Sequence, residues 1–224
     1  MSGARHIRRR GFALAVAAGA LLTVTTGSRA GSPEQWLRGQ GLGFPVGLPE
    51  YGQSIELVGM INPSDSESPI PLPSEGELTW TLTGPVVWDL EEPAPGIRIH
   101  RLTFGVLEVR WDSERNSAFL PNPPNALVPS TFHDGQALLF ATLTELEIRD
   151  FFGIVTASGD LLFEGGTEFA GLGDSRAWNF EAAVSIYGGG VPVGYGASWN
   201  VELTPAQPVS VQTSSWGGIK SLFR

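Results

Sequence analysis

The sequence predicts an all-β protein, an antiparallel sandwich or barrel of about eight to ten strands followed by a short C-terminal helix. Three observations predict it. Segment after segment alternates apolar and polar residues with period two, as in Glu77–Thr83 (ELTWTLT). The 29 glycines and 17 prolines are spread as turn and bend residues rather than gathered in a low-complexity tract. No stretch of the presumed core carries a helical period.

The chain begins with a leader pattern over 1–30. Arg5, Arg8, Arg9 and Arg10 precede the apolar run Phe12–Thr26, and Ser28-Arg29-Ala30 supplies a small-x-small cleavage signal. The run is too short and wrongly flanked for a membrane span, so an export signal is expected and no transmembrane span after its cleavage. Arg9-Arg10-Gly11-Phe12 also fits the twin-arginine export pattern, which leaves two export routes open. Residues 31–52 read as an irregular lead-in, and 53–204 as a single antiparallel β domain.

Within that domain Gln53–Met60 is a candidate first strand, and Asn62–Glu75 a proline-rich polar loop. Glu77–Thr83 puts Leu78, Trp80 and Leu82 on one face against Thr79, Thr81 and Thr83, the mark of a half-buried strand. Val86–Leu90 is its continuation or its partner, and Pro93–Gly96 a turn. Ile97–Phe104 and Val106–Trp111 flank Gly105. Prolines 121, 123, 124 and 129 make a loop that ends at His133-Asp134-Gly135.

The longest alternation follows. Phe140, Thr142, Thr144, Leu146 and Ile148 are expected on one face, with Ala141, Leu143, Glu145, Glu147 and Arg149 on the other. Ser158-Gly159-Asp160 reads as a hairpin turn. Trp178–Tyr187 and Ser198–Thr204 supply the last strands. In 205–224, Trp216, Ile219, Leu222 and Phe223 fall at roughly helical spacing, and Lys220 and Arg224 suit a helix C-terminus; this tail is expected to pack on the domain or to act as an interaction element.

Charge and cysteine usage exclude several functions. The whole chain has 14 basic and 23 acidic residues, a formal charge of −9. The leader holds five of the arginines and no acid, so its loss leaves 9 basic residues against 23 acidic and moves −9 to −14. Such a surface repels phosphate backbones, and nucleic acid is not an expected partner. The absence of cysteine excludes disulfides, thiolate nucleophiles and zinc–thiolate sites.

The run Pro123–Gly135 (PPNALVPSTFHDG), followed by Gly159–Gly166 (GDLLFEGG) and Trp178–Phe180 (WNF), resembles a group of uncharacterised exported bacterial β-rich proteins. Some of its members carry C-terminal sorting tags. The resemblance covers roughly Leu78–Leu203. The closing Ser215–Arg224 (SWGGIKSLFR) is similar to short tails on other exported bacterial proteins, without the PEP tripeptide and membrane span of the better-known tags. This resemblance implies export and a β-rich domain, and brings no catalytic residues.

Few residues point to chemistry. His100 and His133 are the histidines outside the leader, and nothing in their spacing brings them together; both read as surface or loop residues. Ser130, His133 and Asp134 hold the letters of a nucleophilic triad, but adjacent His and Asp cannot orient an imidazole from behind, so turn chemistry is the better reading. Asp65 and Glu67 on one loop, and Asp89, Glu91 and Glu92 on another, are the acids that could gather calcium, the one cofactor the sequence leaves open. Trp80, Trp111 and Trp199 lie in the apolar phase of their strands, which leaves Trp36, Trp88, Trp178 and, in the tail, Trp216 as surface candidates, the first three for a ligand-stacking surface.

The resulting expectation is a non-catalytic protein that is exported to the periplasm, cell surface or extracellular space. There it would take part in structure or interaction, with a protein, a glycan or further copies of itself as partner. A carbohydrate-binding module using exposed tryptophans is the alternative, and a hydrolase with paired carboxylates the third.

Overall fold

A computed structural model describes residues 37–44, 47–63, 66–68, 70–73, 75–117, 129–186 and 195–206. All lie in the Pro33–Arg224 unit of the chain. The expected leader, the Pro121–Val128 part of the proline loop and the C-terminal helix fall outside the described residues.

Ten antiparallel strands form the fold: β1 Leu37–Phe44, β2 Glu56–Ile61, β3 Glu77–Thr83, β4 Val87–Ala94, β5 Ile97–Leu102, β6 Gly105–Asp112, β7 Gln136–Phe151, β8 Ile154–Gly165, β9 Ala177–Ser185 and β10 Ala197–Pro205. Eight of them close a barrel in the order β7-β6-β3-β2-β1-β10-β9-β8, with β8 returning to β7. Of the two expected architectures, the barrel is the one formed.

β4 and β5 stand outside the ring. β5 and β6 lie end to end along β7: Leu102 opposes Leu146 and Gly105 opposes Leu143, so one register runs through Thr103 and Phe104. β3 and β4 run end to end in the same way along β6 and β5, with Thr83 opposite Val106 and Val87 opposite Leu102. The result is a long hairpin whose far half, β4 and β5, extends the sheet beyond the barrel along the second half of β7.

The barrel is filled rather than hollow. Trp80 and Trp199, on the inward faces of β3 and β10, are 2% and 4% exposed. They fit because β1 (LRGQGLGF) presents glycine at successive inward positions. A Cβ at Gly41 would lie 2.4 Å from Cζ2 of Trp80, and one at Gly43 would lie 2.6 Å from Nε1 of Trp199. The Trp80 indole N–H donates to the Gln40 carbonyl at 3.3 Å. The lead-in expected to be irregular thus holds a strand, whose signature is missing side chains.

Three further expectations are corrected. Ser158-Gly159-Asp160 is no turn but the middle of β8. The turn is Phe152-Gly153, with φ of 53° and 85°, between paired Phe151 and Ile154, which is the type I′ geometry of a two-residue hairpin. In β7 the register shifts between Leu143 and Leu146, where Thr144 and Glu145 face the single residue Asp160. That bulge reverses the phase. The buried set is Leu139, Ala141 and Leu143 before it and Leu146 and Ile148 after it, so Phe140, Thr142 and Thr144 lie outside. β3, expected to be half-buried, is buried on both faces. The 3-10 turn Pro129–Phe132 covers its outer face, where the Thr79 hydroxyl donates to the Phe132 carbonyl at 3.1 Å. Leu42, Val58, Phe132 and Tyr195 make a second small apolar cluster there.

Candidate functional site

The residues singled out by sequence do not converge. Trp178 is fully buried: its ring packs edge-on against Phe163 with centroids 5.5 Å apart, and its N–H donates to the Ser175 carbonyl at 2.7 Å. A core role thus replaces the expected stacking surface, because Trp178 occupies the inward phase of β9. Trp88 is 50% exposed. Trp36, Asp65, Trp216, Ile219, Leu222 and Phe223 lie outside the described residues.

Asp89, Glu91 and Glu92, expected on a loop that could gather calcium, lie instead on strand β4, and two of them belong to an ion-pair network. Arg101 on β5 bonds Asp89 at 2.6 Å, Glu91 at 2.9 Å and Glu147 at 3.2 Å, which leaves fewer oxygens for a cation. Glu92 points elsewhere, as described below. Among the described residues no three His, Asp or Glu side chains are grouped to hold a metal, and Glu67 joins none. His133 pairs with Glu56 at 3.1 Å, while Asp134 accepts from the Asn116 amide at 3.1 Å; neither geometry builds a triad with Ser130.

The site that the fold does build was not anticipated. Where the sheet extends past the barrel, the inner face of β4, β5 and β7 meets the segment Gly47–Tyr51 that follows β1. Between them lies a cavity of about 890 Å³ lined by Leu48, Pro49, Glu50, Tyr51, Leu90, Glu92, Arg98, His100, Asp150 and Ile186, with Gly47 at its margin. The strand register explains the lining. Leu90 opposes His100 and His100 opposes Ile148, while Arg98 opposes Asp150 one row further out.

His100 lines this cavity from β5. Expected at the surface, it is 3% exposed, because the end-to-end arrangement of β5 and β6 puts it in the inward phase set by Leu102. Its Nδ1–H donates to the Pro49 carbonyl at 2.8 Å, and Nε2 is buried with no partner among the described residues. Desolvation by burial holds its pKa below the ordinary 6.5, and the Arg98 guanidinium pushes the same way. The Pro49 carbonyl and Asp150 oppose this without reversing it. The ring is therefore neutral at pH 7, with a lone pair on Nε2.

No family model, curated protein or solved structure matches this chain.

The rim is acidic and partly apolar. Glu50, Glu92 and Asp150 face a single guanidinium, Arg98. Asp150 also accepts from the Gly153 N–H at 2.8 Å, which fixes it to the β7–β8 turn. Tyr51 is 72% exposed and Leu90 45% exposed. The tip of the β7–β8 hairpin next to Asp150 carries Phe151, Phe152 and Ile154, all more than half exposed. Deeper in, past Leu48 and Pro49, a void of about 10 Å³ touches Trp199, whose buried Nε1 also has no partner among the described residues.

A second, larger depression of about 1000 Å³ lies across the outer faces of β10, β1, β2 and β3. Its charged groups are largely committed to one another. Arg38 pairs with Glu202 at 3.4 Å, and Glu77 accepts from the Ser117 N–H at 2.7 Å. Among the described residues that line it, no buried polar atom lacks a partner.

Proposed function

We propose that this protein is an exported, non-catalytic binding protein that takes its ligand in the cavity between Gly47–Tyr51 and β4–β5–β7. One observation carries the reading: a buried imidazole with an unpartnered Nε2 lines a cavity large enough for a small molecule. A buried acceptor without a partner costs about 1–3 kcal/mol; Nε2 is closed to water in this structure, so a bound donor removes that cost by opening the cover over the ring. The leader pattern of 1–30 supports export to the periplasm, cell surface or extracellular space.

Self-association through a free sheet edge has less support. β4 is the edge strand, but it carries Glu91, Glu92 and Pro93 and two register shifts, the features that discourage strand addition. The carbohydrate-binding alternative rested on Trp36, Trp88 and Trp178, and of these only Trp88 stands exposed among the described residues.

The test is a fragment screen by NMR on isotope-labelled protein. Binding predicts that fragments perturb His100 together with Arg98 and Asp150. A diverse library that leaves all three unmoved rules the reading out.

Hydrolysis is the second reading, and one observation favours it. Carboxylates line the cavity from both sides, Glu50 from the covering segment and Glu92 and Asp150 from the sheet. Release of nitrophenol from aryl glycosides, abolished in both Glu50→Gln and Glu92→Gln, would establish it over simple binding.

A further inference from the structure

Resting on the binding reading above, we propose that the ligand of the His100 cavity is a primary alkylamine or polyamine. The argument is a count of donors against acceptors, followed by the sign of the charge and the nature of the walls.

The ionisable groups that line the cavity are rich in acceptors. Glu50, Glu92 and Asp150 offer carboxylate oxygens, and His100, whose other nitrogen is bound to Pro49, keeps a lone pair on Nε2, a buried atom that a ligand donor reaches only by opening the cover over the ring. Arg98 alone donates from a charged group; it stands opposite Asp150 in the strand register and makes no ion pair with any of the three among the described residues. A complementary ligand must therefore bring donors. An ammonium group has three and no acceptor, whereas a hydroxyl brings one donor with two lone pairs that would face carboxylates.

Charge points the same way. Three carboxylates against one guanidinium leave a formal charge of −2 around a neutral imidazole. Anionic ligands are disfavoured, and a cation is drawn in by a rim backed by a low-dielectric barrel wall. The apolar lining suits the remainder of such a molecule. Leu48, Leu90 and Ile186 can cover a methylene stem, and the exposed Tyr51 ring at the rim can take an ammonium on its face.

The experiment uses the full chain and three probes that share one five-carbon stem: 1,5-diaminopentane, 1,5-pentanediol and glutarate. Calorimetry reads affinity, and the ¹⁵N resonance of His100 Nε2 reads location. The diamine is expected to bind and to shift that resonance, while the diol and glutarate do neither. Glu50→Gln combined with Glu92→Gln changes exposed side chains and is expected to weaken the diamine by about tenfold or more, with the far-ultraviolet spectrum unchanged. If the diol shifts Nε2 as strongly as the diamine, the cavity binds but the cationic class is wrong. If the diamine binds without moving Nε2, or moves nothing, the proposal fails. The fragment screen then decides separately whether the cavity binds anything.

Discussion

The indole of Trp80 occupies the space that a side chain at Gly41 would need, since a Cβ there would lie 2.4 Å from Cζ2. The two residues belong to β3 and β1, which do not pair, and they meet across the β2 backbone. Gly41→Ala should destabilise the protein by about 1–3 kcal/mol through overpacking. Trp80→Phe should also destabilise it, by leaving a cavity. The double variant should lose less than the sum of the two, with a coupling of about 0.5–3 kcal/mol, because the smaller ring makes room for the methyl group. Urea unfolding of the four proteins measures this, and strictly additive losses would refute the contact.

The burial of His100 predicts a pH dependence of stability. Its folded pKa lies below 6.5, so the unfolded chain binds the proton more readily. Stability should therefore be fully present above pH 6.5 and decline as the pH falls through and below that value, until the folded imidazole also protonates. Thermal melts from pH 8 to pH 5 should show this decline in the native sequence. His100→Gln should flatten it over the same interval, and an unchanged slope would assign the effect to other groups.

The β7–β8 turn is made by a residue poorly suited to it. Phe152 has a φ of 53° and is 68% exposed, so it bears both left-handed strain and solvent contact. Asn-Gly is the preferred pair for this turn. Phe152→Asn should raise stability by about 0.5–1 kcal/mol, less whatever the ring gains against Gly96. A melting temperature that rises while ligand affinity falls would mark Phe152 as a residue kept for contact with the ligand.

A buried hydrogen bond ties the outer cluster to β3. Thr79→Val keeps the shape of the side chain but leaves the Phe132 carbonyl without its donor. The expected loss is about 1–3 kcal/mol in denaturant unfolding, whereas Thr83→Val at the more exposed end of the same strand should change little.

Much of the fold could be read from the sequence wherever side chains reported their own burial. Leu78, Trp80 and Leu82 on β3 did so, as did Leu107 and Val109 on β6 and Trp199, Val201 and Leu203 on β10. Reading failed where a neighbour set the environment. β1 has almost no inward side chains, because two tryptophans from other strands fill its share of the core. The bulge at Thr144–Glu145 reverses the phase of β7, and a single alternation carried across it puts Phe140 on the wrong side. Ser158-Gly159-Asp160 has turn composition, yet Gly159 is there because the Glu145 carbonyl comes within 2.4 Å of where its Cβ would be. The cavity was invisible for a similar reason. Glu50, Glu92, His100 and Asp150 sit on four separate segments, and only the collinear β5 and β6 bring His100 inward. The candidates chosen from sequence were clusters along the chain, such as Asp89 and Glu91, which the fold neutralises with Arg101.

The pairing of β1 with β10, Leu37 opposite Leu203, has a kinetic consequence. The barrel cannot close until its last strand is available, so a chain emerging from the ribosome holds β1 with one edge unsatisfied through almost the whole of synthesis. Closure joins segments far apart in sequence, the kind of contact that makes folding slow. A chain that folds late remains threadable for longer, while one that must leave the cell already folded has to wait for Ala197–Pro205 to dock. Under the export proposed above, the rate of that final docking, set against the rate of translocation, would decide which of the two routes expected from the arginine-rich leader pattern is used.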